Sequence, residues 1–439
     1  MYKARINNKC LAMAGLLVSV ICATGCSTEQ RIGRMLKRSA VLQQHHVGFA
    51  LYDLSKNEEV FRKNADLHFT PASNTKLLTF YASLKLIGDS IPGLRYVEQG
   101  DSLIFWGTGD PALLQTRLQS DRVIHFLKTS PKKLFFAAGR YTGDFYGRGW
   151  QWDDYNDDYQ AEINELPILD NLVCLKTENG VLTTSPALFT DCLFKDSLSR
   201  DTSFKVTRAF NANHFSYPPL VPPKDYLQRV PYKVSTATTL ALLSQICGKP
   251  VELLGRKMPE QARVLYSSKR DTVLKEMMLP SDNFIAEQLL LVCADRAGLE
   301  MNAAKLMNFV QEKYLAGLPD KLVWVDGSGL SRYNLNTPDN LVKLLEMIYK
   351  EVGDPNRLYA MLAAGGMSGT LKNAYPKTTD PFVFGKTGTL SNNHSQSGYV
   401  LTKKHKTYAF SFMNNNFVSP TAAVRKEIEK IITYVHERL

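Results

Sequence analysis

Ser73 and Lys76 in Pro71-Ala72-Ser73-Asn74-Thr75-Lys76, Ser281 and Asn283 in Pro280-Ser281-Asp282-Asn283-Phe284, and Lys386 in Phe384-Gly385-Lys386-Thr387-Gly388-Thr389 could together run acyl transfer on a serine with neither histidine nor metal. A serine hydroxyl is a poor nucleophile until a base takes its proton. A lysine becomes that base only when burial or a nearby cation lowers its pKa. Leu77 and Leu78 supply the apolar surroundings that burial requires, and Lys386 is the candidate cation. Ser281 would relay a proton between Lys76 and the leaving nitrogen, and Asn283 would steady Lys76 or hold a substrate amide. Lys386, Thr387 and Thr389 would grip a carboxylate, with Gly388 admitting a substrate backbone along the strand edge.

Each motif alone is weak. Ser130-Pro131-Lys132-Lys133 repeats the first spacing, but the apolar run Leu134-Phe135-Phe136-Ala137 reads as a strand, so its Ser and Lys would not share a helix face. Ser55-Lys56-Asn57 and Ser391-Asn392-Asn393 repeat the second. Order and context separate the functional set from these decoys.

The elements that must position the set follow from pattern. Val47 to Leu54 and Glu58 to Phe61 alternate as a strand pair, and a helix from about Ser73 to Leu86 carries Ser73 and Lys76 one turn apart on one face. Its N-terminal N–H groups suit a developing oxyanion, for which Ser73 and Thr389 would supply the donors. Ser281 and Asn283 fall in the turn before a helix over 284–297, where Ser281 as a simple N-cap is the plainer alternative. Helices are also predicted over 122–128, 238–247, 270–278 and 303–314. The tail holds strands at 382–384, 396–402 and 407–413, with Lys386 to Thr389 also on a strand, then an amphipathic helix at 421–436. Strands at both ends around a helical middle predict one domain, 26–92 with 230–439, closed by its termini. The strand-rich stretch 93–229 reads as an insertion, since 205 residues separate Lys76 from Ser281 but only 105 separate Ser281 from Lys386.

Composition sets the remaining bounds. With 439 residues, 44% hydrophobic and 22% charged, the chain is an ordinary globular protein of two or three domains. Residues 1–25 differ: Lys3, Arg5 and Lys9 precede an apolar stretch from Leu11 to Ile21, then Ala23-Thr24-Gly25-Cys26. This resembles a bacterial lipoprotein signal, with Cys26 as the acylated residue and lipid anchor; plain secretion with cleavage near Gly25 is the alternative, and either predicts an exported, periplasmic or cell-envelope protein. Without that segment the formal net charge falls from +11 to +8, which favours an anionic partner such as a wall polymer. No nucleic-acid-binding signature is present. Of seven cysteines, Cys247 and Cys293 lie in apolar helical patterns, while Cys174 and Cys192 could bridge or remain free. There is no Cys-x-x-Cys pair, and only His45 and His46 adjoin among eight histidines, so neither a metal nor a cofactor is expected.

The longer strings PASNTKLL, SDNFIAEQLL, DGSGLSRYNL at 326–335 and FGKTGTL resemble the D-alanyl-D-alanine carboxypeptidase/endopeptidase family, as do GTGDPAL at 107–113 and GRGWQWDDYNDDYQAEI at 147–163. The likeness spans about 47 to 415. It implies a penicillin-recognising fold of mixed α and β structure, an antiparallel sheet flanked by helices, with two smaller domains inserted between the first two motifs. It also implies a serine peptidase acting on peptidoglycan stem peptides and cross-links, with β-lactams as covalent inhibitors. The family roles fall on Ser73 as nucleophile, Lys76 as base, and Ser281, Asn283 and Lys386 as partners. Substrate binding falls on Thr387, Gly388, Thr389, Asp153, Arg332 and Ser391. Asp157 and Asp158 stand where the family pattern has tyrosines.

Two other functions fit parts of the pattern. A β-lactamase would need a glutamate-held hydrolytic water, which Glu162 or Glu165 superficially offers, but both precede the Ser-x-Asn motif. A non-catalytic wall-binding scaffold would use the inserted region, against which the intact Ser73, Lys76, Ser281 and Lys386 argue.

Overall fold

The computed structural model describes residues 28–118 and 120–439. Cys26 and the segment before it lie outside the described residues. The central sheet has six strands in the order Ala363–Ala364, Val383–Leu390, Asn393–Leu401, Thr407–Asn415, His46–Asp53, Glu58–Lys63. Every neighbouring pair is antiparallel. The N-terminal hairpin joins the C-terminal meander through the pairing of Phe49 with Phe412 and Leu51 with Phe410, so the chain ends do close the sheet.

Alternation along one strand shows why two layers of helix are required. Phe410 and Phe412 point to one face, where Ile32 and Leu36 of the helix Thr28–Arg38 and Val424, Ile428 and Ile431 of the helix Thr421–Arg438 cover them. Ala409 and Met413 point to the other face, into the larger core. That core packs the helices Lys76–Leu86, Asn283–Ala297 and Pro338–Val352 through Leu77, Phe80, Ile285, Leu289, Leu341 and Leu345. Leu289 to Ala294 are all fully buried, so Asn283–Ala297 is a central helix with no solvent face over that stretch.

A second body carries its own core, with a five-stranded sheet ordered Val251–Leu253, Lys133–Phe136, Ser102–Gly107, Ser90–Gln99, Arg263–Lys269. This sheet crosses the boundary read from sequence. Val251–Leu253 and Arg263–Lys269 pair with strands before residue 137, and Leu242, Leu243 and Cys247 of the helix Thr236–Cys247 pack into the same core. The inserted body thus runs on past residue 230, and two three-stranded sheets sit within it. Cys174 and Cys192 are free thiols. The strand Leu172–Glu178 pairs in one small sheet, whereas Cys192 ends a 3-10 turn leading into the other.

The two bodies are joined by charge as well as packing. Asp295, buried near the end of the central helix, accepts from Arg95 of the second sheet at 2.8 Å and from Arg140 at 2.7 Å. A buried carboxylate needs such partners, and these two hold the central helix against the inserted body.

Candidate active site

Ser73 sits in a 3-10 turn, Ala72–Thr75, that leads into the α-helix Lys76–Leu86, so the regular helix starts three residues later than the sequence suggests. The pair still meets: Lys76 Nζ lies 3.0 Å from Ser73 Oγ. Ala72 holds a left-handed φ of +48°, and its carbonyl is locked by Thr75 Oγ1 at 2.9 Å. Backbone strain of this kind is retained where the surroundings impose it. Gly329 makes room for it, since a Cβ there would lie 1.9 Å from the Ala72 carbonyl oxygen.

Lys76 is wholly buried, and its ammonium head has three acceptors. Besides Ser73 Oγ these are Asn283 Oδ1 at 2.7 Å and the Ser328 carbonyl at 2.7 Å. Three acceptors match the three donors of an ammonium, and in the neutral amine the lone pair can turn to Ser73. Burial lowers the Lys76 pKa to about 8, against the opposing pull of Asp326, Glu287 and Asp282.

Asn283 is the first residue of the central helix rather than part of the turn before it. Asp282, not Ser281, is the N-cap, accepting from the Ile285 N–H at 2.9 Å. Asn283 Nδ2 donates to the Tyr159 carbonyl at 3.1 Å, which fixes the amide so that its oxygen faces Lys76. Ser281 has a left-handed φ of +66° and lines a cleft of about 190 Å³ with Asn283, Tyr159, Arg117 and Asp170. Among the described residues it makes no hydrogen bond to Lys76, so a proton relay would require its hydroxyl to turn.

The Lys-Thr-Gly strand, Val383–Leu390, brings Lys386 and Gly388 to the inner side of the sheet edge. Gly388 packs on the Ser73 turn so closely that a Cβ would stand 2.6 Å from the Ser73 backbone nitrogen. Lys386 is fully buried, and its Nζ donates to the Thr387 carbonyl. Its pKa is pushed well below the ordinary lysine value, first by burial and then by the charge on Lys76. Burial is the first cause at both lysines, and the repulsion between their charges, which is mutual, adds to the lowering at Lys386.

Thr387 Oγ1 donates to Thr370 Oγ1 at 2.7 Å, and Thr389 Oγ1 lies 2.8 Å from His394 Nδ1 and 3.4 Å from Arg425. Burial lowers His394 to about 3, leaving a neutral ring. Arg332 donates to the Ser391 carbonyl at 3.2 Å, so those two residues are brought together. Asp153 is exposed, and no hydrogen bond or ion pair joins it to Arg332. Asp157 and Asp158 lie opposite Lys205 and Arg229 at 3.9 and 3.5 Å.

Several residues at the site were not singled out from sequence. Ser328 acts through a backbone carbonyl, which no side-chain pattern reports, although the DGSG word was visible. Asp326 accepts from Gly329 N at 2.8 Å, Ser331 N and Asn334 Nδ2, and also from Trp150 Nε1 at 3.0 Å. The two glutamates that a lactamase reading would recruit are already committed. Glu165 accepts from the Gly139 and Arg140 amides, and Glu162 from Lys233 and the Val234 amide.

A serine bonded to a buried lysine, beside an Asn at a helix start and a Lys-Thr-Gly strand on an antiparallel sheet, defines the penicillin-recognising serine peptidase class. The D-Ala-D-Ala carboxypeptidase 3 (S13) family model matches residues 28–211 and 241–438, and the chain belongs to that family. It is therefore a serine-type D-Ala-D-Ala carboxypeptidase, a hydrolase acting on peptidoglycan. Relatives include the D-alanyl-D-alanine carboxypeptidase DacB of Haemophilus influenzae, 23% identical over 84% of this chain and 85% of that protein. A D-alanyl-D-alanine carboxypeptidase of Actinomadura is 26% identical over 85% of this chain and 78% of its own length. The crystal structure of penicillin binding protein 4 from H. influenzae has the same fold, with a TM-score of 0.74 at 19% identity, covering 92% of this chain and 99% of that one.

Proposed function

We propose that Ser73 is the acylated residue of this peptidase and that Lys76 is its base. The contact that carries this reading is the 3.0 Å approach of Lys76 Nζ to Ser73 Oγ inside a buried, fully ligated lysine site. Ser73 Oγ attacks the carbonyl between two D-alanines while its proton passes to Lys76. The N–H groups of Ser73 and Thr389 receive the oxyanion. As the tetrahedral carbon collapses, the C–N bond breaks and the leaving nitrogen takes a proton from Lys76, through Ser281 once its hydroxyl has turned. Water then attacks the Ser73 ester, losing its proton to Lys76, and as the acyl C–O bond breaks Ser73 Oγ takes that proton back, releasing the peptide acid and the free enzyme.

Lys386, Thr387 and Thr389 bind the substrate carboxylate, and Gly388 lets its backbone lie along the strand. Arg332, the Ser391 carbonyl and Asp153 face the peptide side chain, the first two as one unit. β-Lactams enter as substrate mimics that acylate Ser73. Peptidase action covers release of a terminal D-Ala and cleavage of cross-links by the same steps. Cys26 carries a lipid anchor, and the enzyme works in the cell envelope.

Labelled penicillin tests the core of this reading. Covalent label on the wild type and none on Ser73→Ala is the expected result, whereas label retained in Ser73→Ala overturns it. Slow loss of label separates a peptidase from a lactamase. Mass spectrometry of digested muropeptides reads single D-Ala release against cross-link cleavage, and mass spectrometry of the mature N-terminus reads the lipid on Cys26.

A further inference from the structure

We propose that Glu287 is a positioning residue for Lys76: by binding the amides of Gly327 and Ser328, it fixes the Ser328 carbonyl against Lys76 Nζ. The inference rests on the reading of Lys76 as the base. Glu287 Oε2 accepts from Gly327 N at 2.9 Å and Oε1 from Ser328 N at 2.8 Å, and the carbonyl of that same Ser328 accepts from Lys76 Nζ at 2.7 Å. Asn283 and Glu287 stand four apart on one helix and share a face. One face of the central helix therefore sets two of the three acceptors around the lysine, one directly and one through the Asp326–Gly329 turn.

Both carboxylate oxygens are used, and Glu287 is buried, so the group has no solvent to fall back on. A buried carboxylate is costly unless it is hydrogen-bonded, and both Glu287 bonds go to this one turn. Asp326 shapes the same turn from the other side through Gly329 N and Ser331 N. Burial first, and the charge of Asp326 second, raise the Glu287 pKa to about 8. The charged and titratable groups around this cluster are Asp326, Asp282, Lys76, Lys386 and Tyr141. An ionised Glu287 favours the ammonium form of Lys76, so Glu287 influences the lysine by charge as well as by placement.

The test is the acylation rate with labelled penicillin across pH in wild type, Glu287→Gln and Glu287→Asp, with thermal melting to establish folding. Glu287→Gln keeps the volume but turns an N–H₂ group toward a backbone N–H. The expected loss is about 10- to 100-fold in acylation, the scale of a sub-ångström displacement of a reacting group. Because Glu287 itself titrates near 8, its charge acts on Lys76 only in the upper part of the profile, and its loss moves the midpoint down by less than a unit. Glu287→Asp keeps the charge and shortens the reach, so it loses rate and keeps the midpoint. A purely structural role would lower the melting temperature and leave the midpoint where it was. Folded Glu287→Gln with wild-type rate and midpoint overturns the proposal. If Glu287→Gln does not fold, wild-type rate in Glu287→Asp overturns it. Absence of label on the wild-type enzyme would sink the reading of Ser73 and Lys76 instead, so the two failures are distinct.

Discussion

Replacing Gly388 with alanine puts a methyl group where the Lys-Thr-Gly strand meets the Ser73 turn. The new Cβ would lie 2.6 Å from Ser73 N, 2.7 Å from Pro71 O and 2.9 Å from Asn74 N, and ordinary contact begins at 3.4 Å. The strand and the turn must therefore part by about 0.8 Å. All three neighbours are backbone atoms, so no side chain can rotate aside. The displacement separates the two N–H groups proposed to hold the oxyanion, Ser73 and Thr389. Misplacement on this scale costs about 10²-fold in rate, as does removal of one oxyanion donor. Overpacking costs about 1–3 kcal/mol of stability, which leaves the protein folded. The assay is the second-order acylation rate with labelled penicillin beside a melting curve. Gly88→Ala is the control, since nothing lies within 4 Å of its added Cβ. A folded Gly388→Ala acylated within twofold of wild type would refute the argument.

Because Lys76 must be neutral to accept the Ser73 proton, and its pKa is lowered to about 8, acylation should rise with pH through a midpoint near 8. A flat profile between pH 6 and 9 contradicts that role. Lys386→Ala should weaken acylation by carboxylate-bearing penicillins about 10-fold or more, read as the second-order rate with labelled penicillin. A rate within twofold of wild type would contradict the carboxylate-binding role of Lys386. Cys174 and Cys192 should be alkylated in the native protein, ahead of the buried Cys247 and Cys293, and a mass two hydrogens short under non-reducing conditions would contradict the free thiols.

The residues that approach one another at the site were legible because two of the motifs are local. Ser73 and Lys76 are three apart, and Lys386 to Thr389 lie on one strand, so spacing alone limits their geometry. The edges of the fold were legible for a similar reason, since alternation marks each terminal strand. The helix Pro338–Val352 was signalled by Thr337, which accepts from Asn340 N, and by Pro338 at the first helical position, yet it was not read. The boundary after residue 229 failed for a different cause. Val251–Leu253 pairs with Lys133–Phe136 across more than a hundred residues, and short strands carry no local mark of a distant partner. Ser328 was invisible because a carbonyl oxygen is common to every residue. Its meaning depends on Glu287 and Lys76 converging on one turn.

The closing of the central sheet by the two ends of the chain has a consequence for synthesis. Ser73 and Lys76 emerge from the ribosome early, but the strand His46–Asp53 that leads to them has its partner at Thr407–Asn415, and Gly388 caps their turn. A nascent chain thus carries its reactive pair for three hundred residues without the surface that would arm it. A chain ended at residue 380 should take no penicillin label, and the completed one should. Assembly of the last strands is in effect the activation step, built into the order of the sequence.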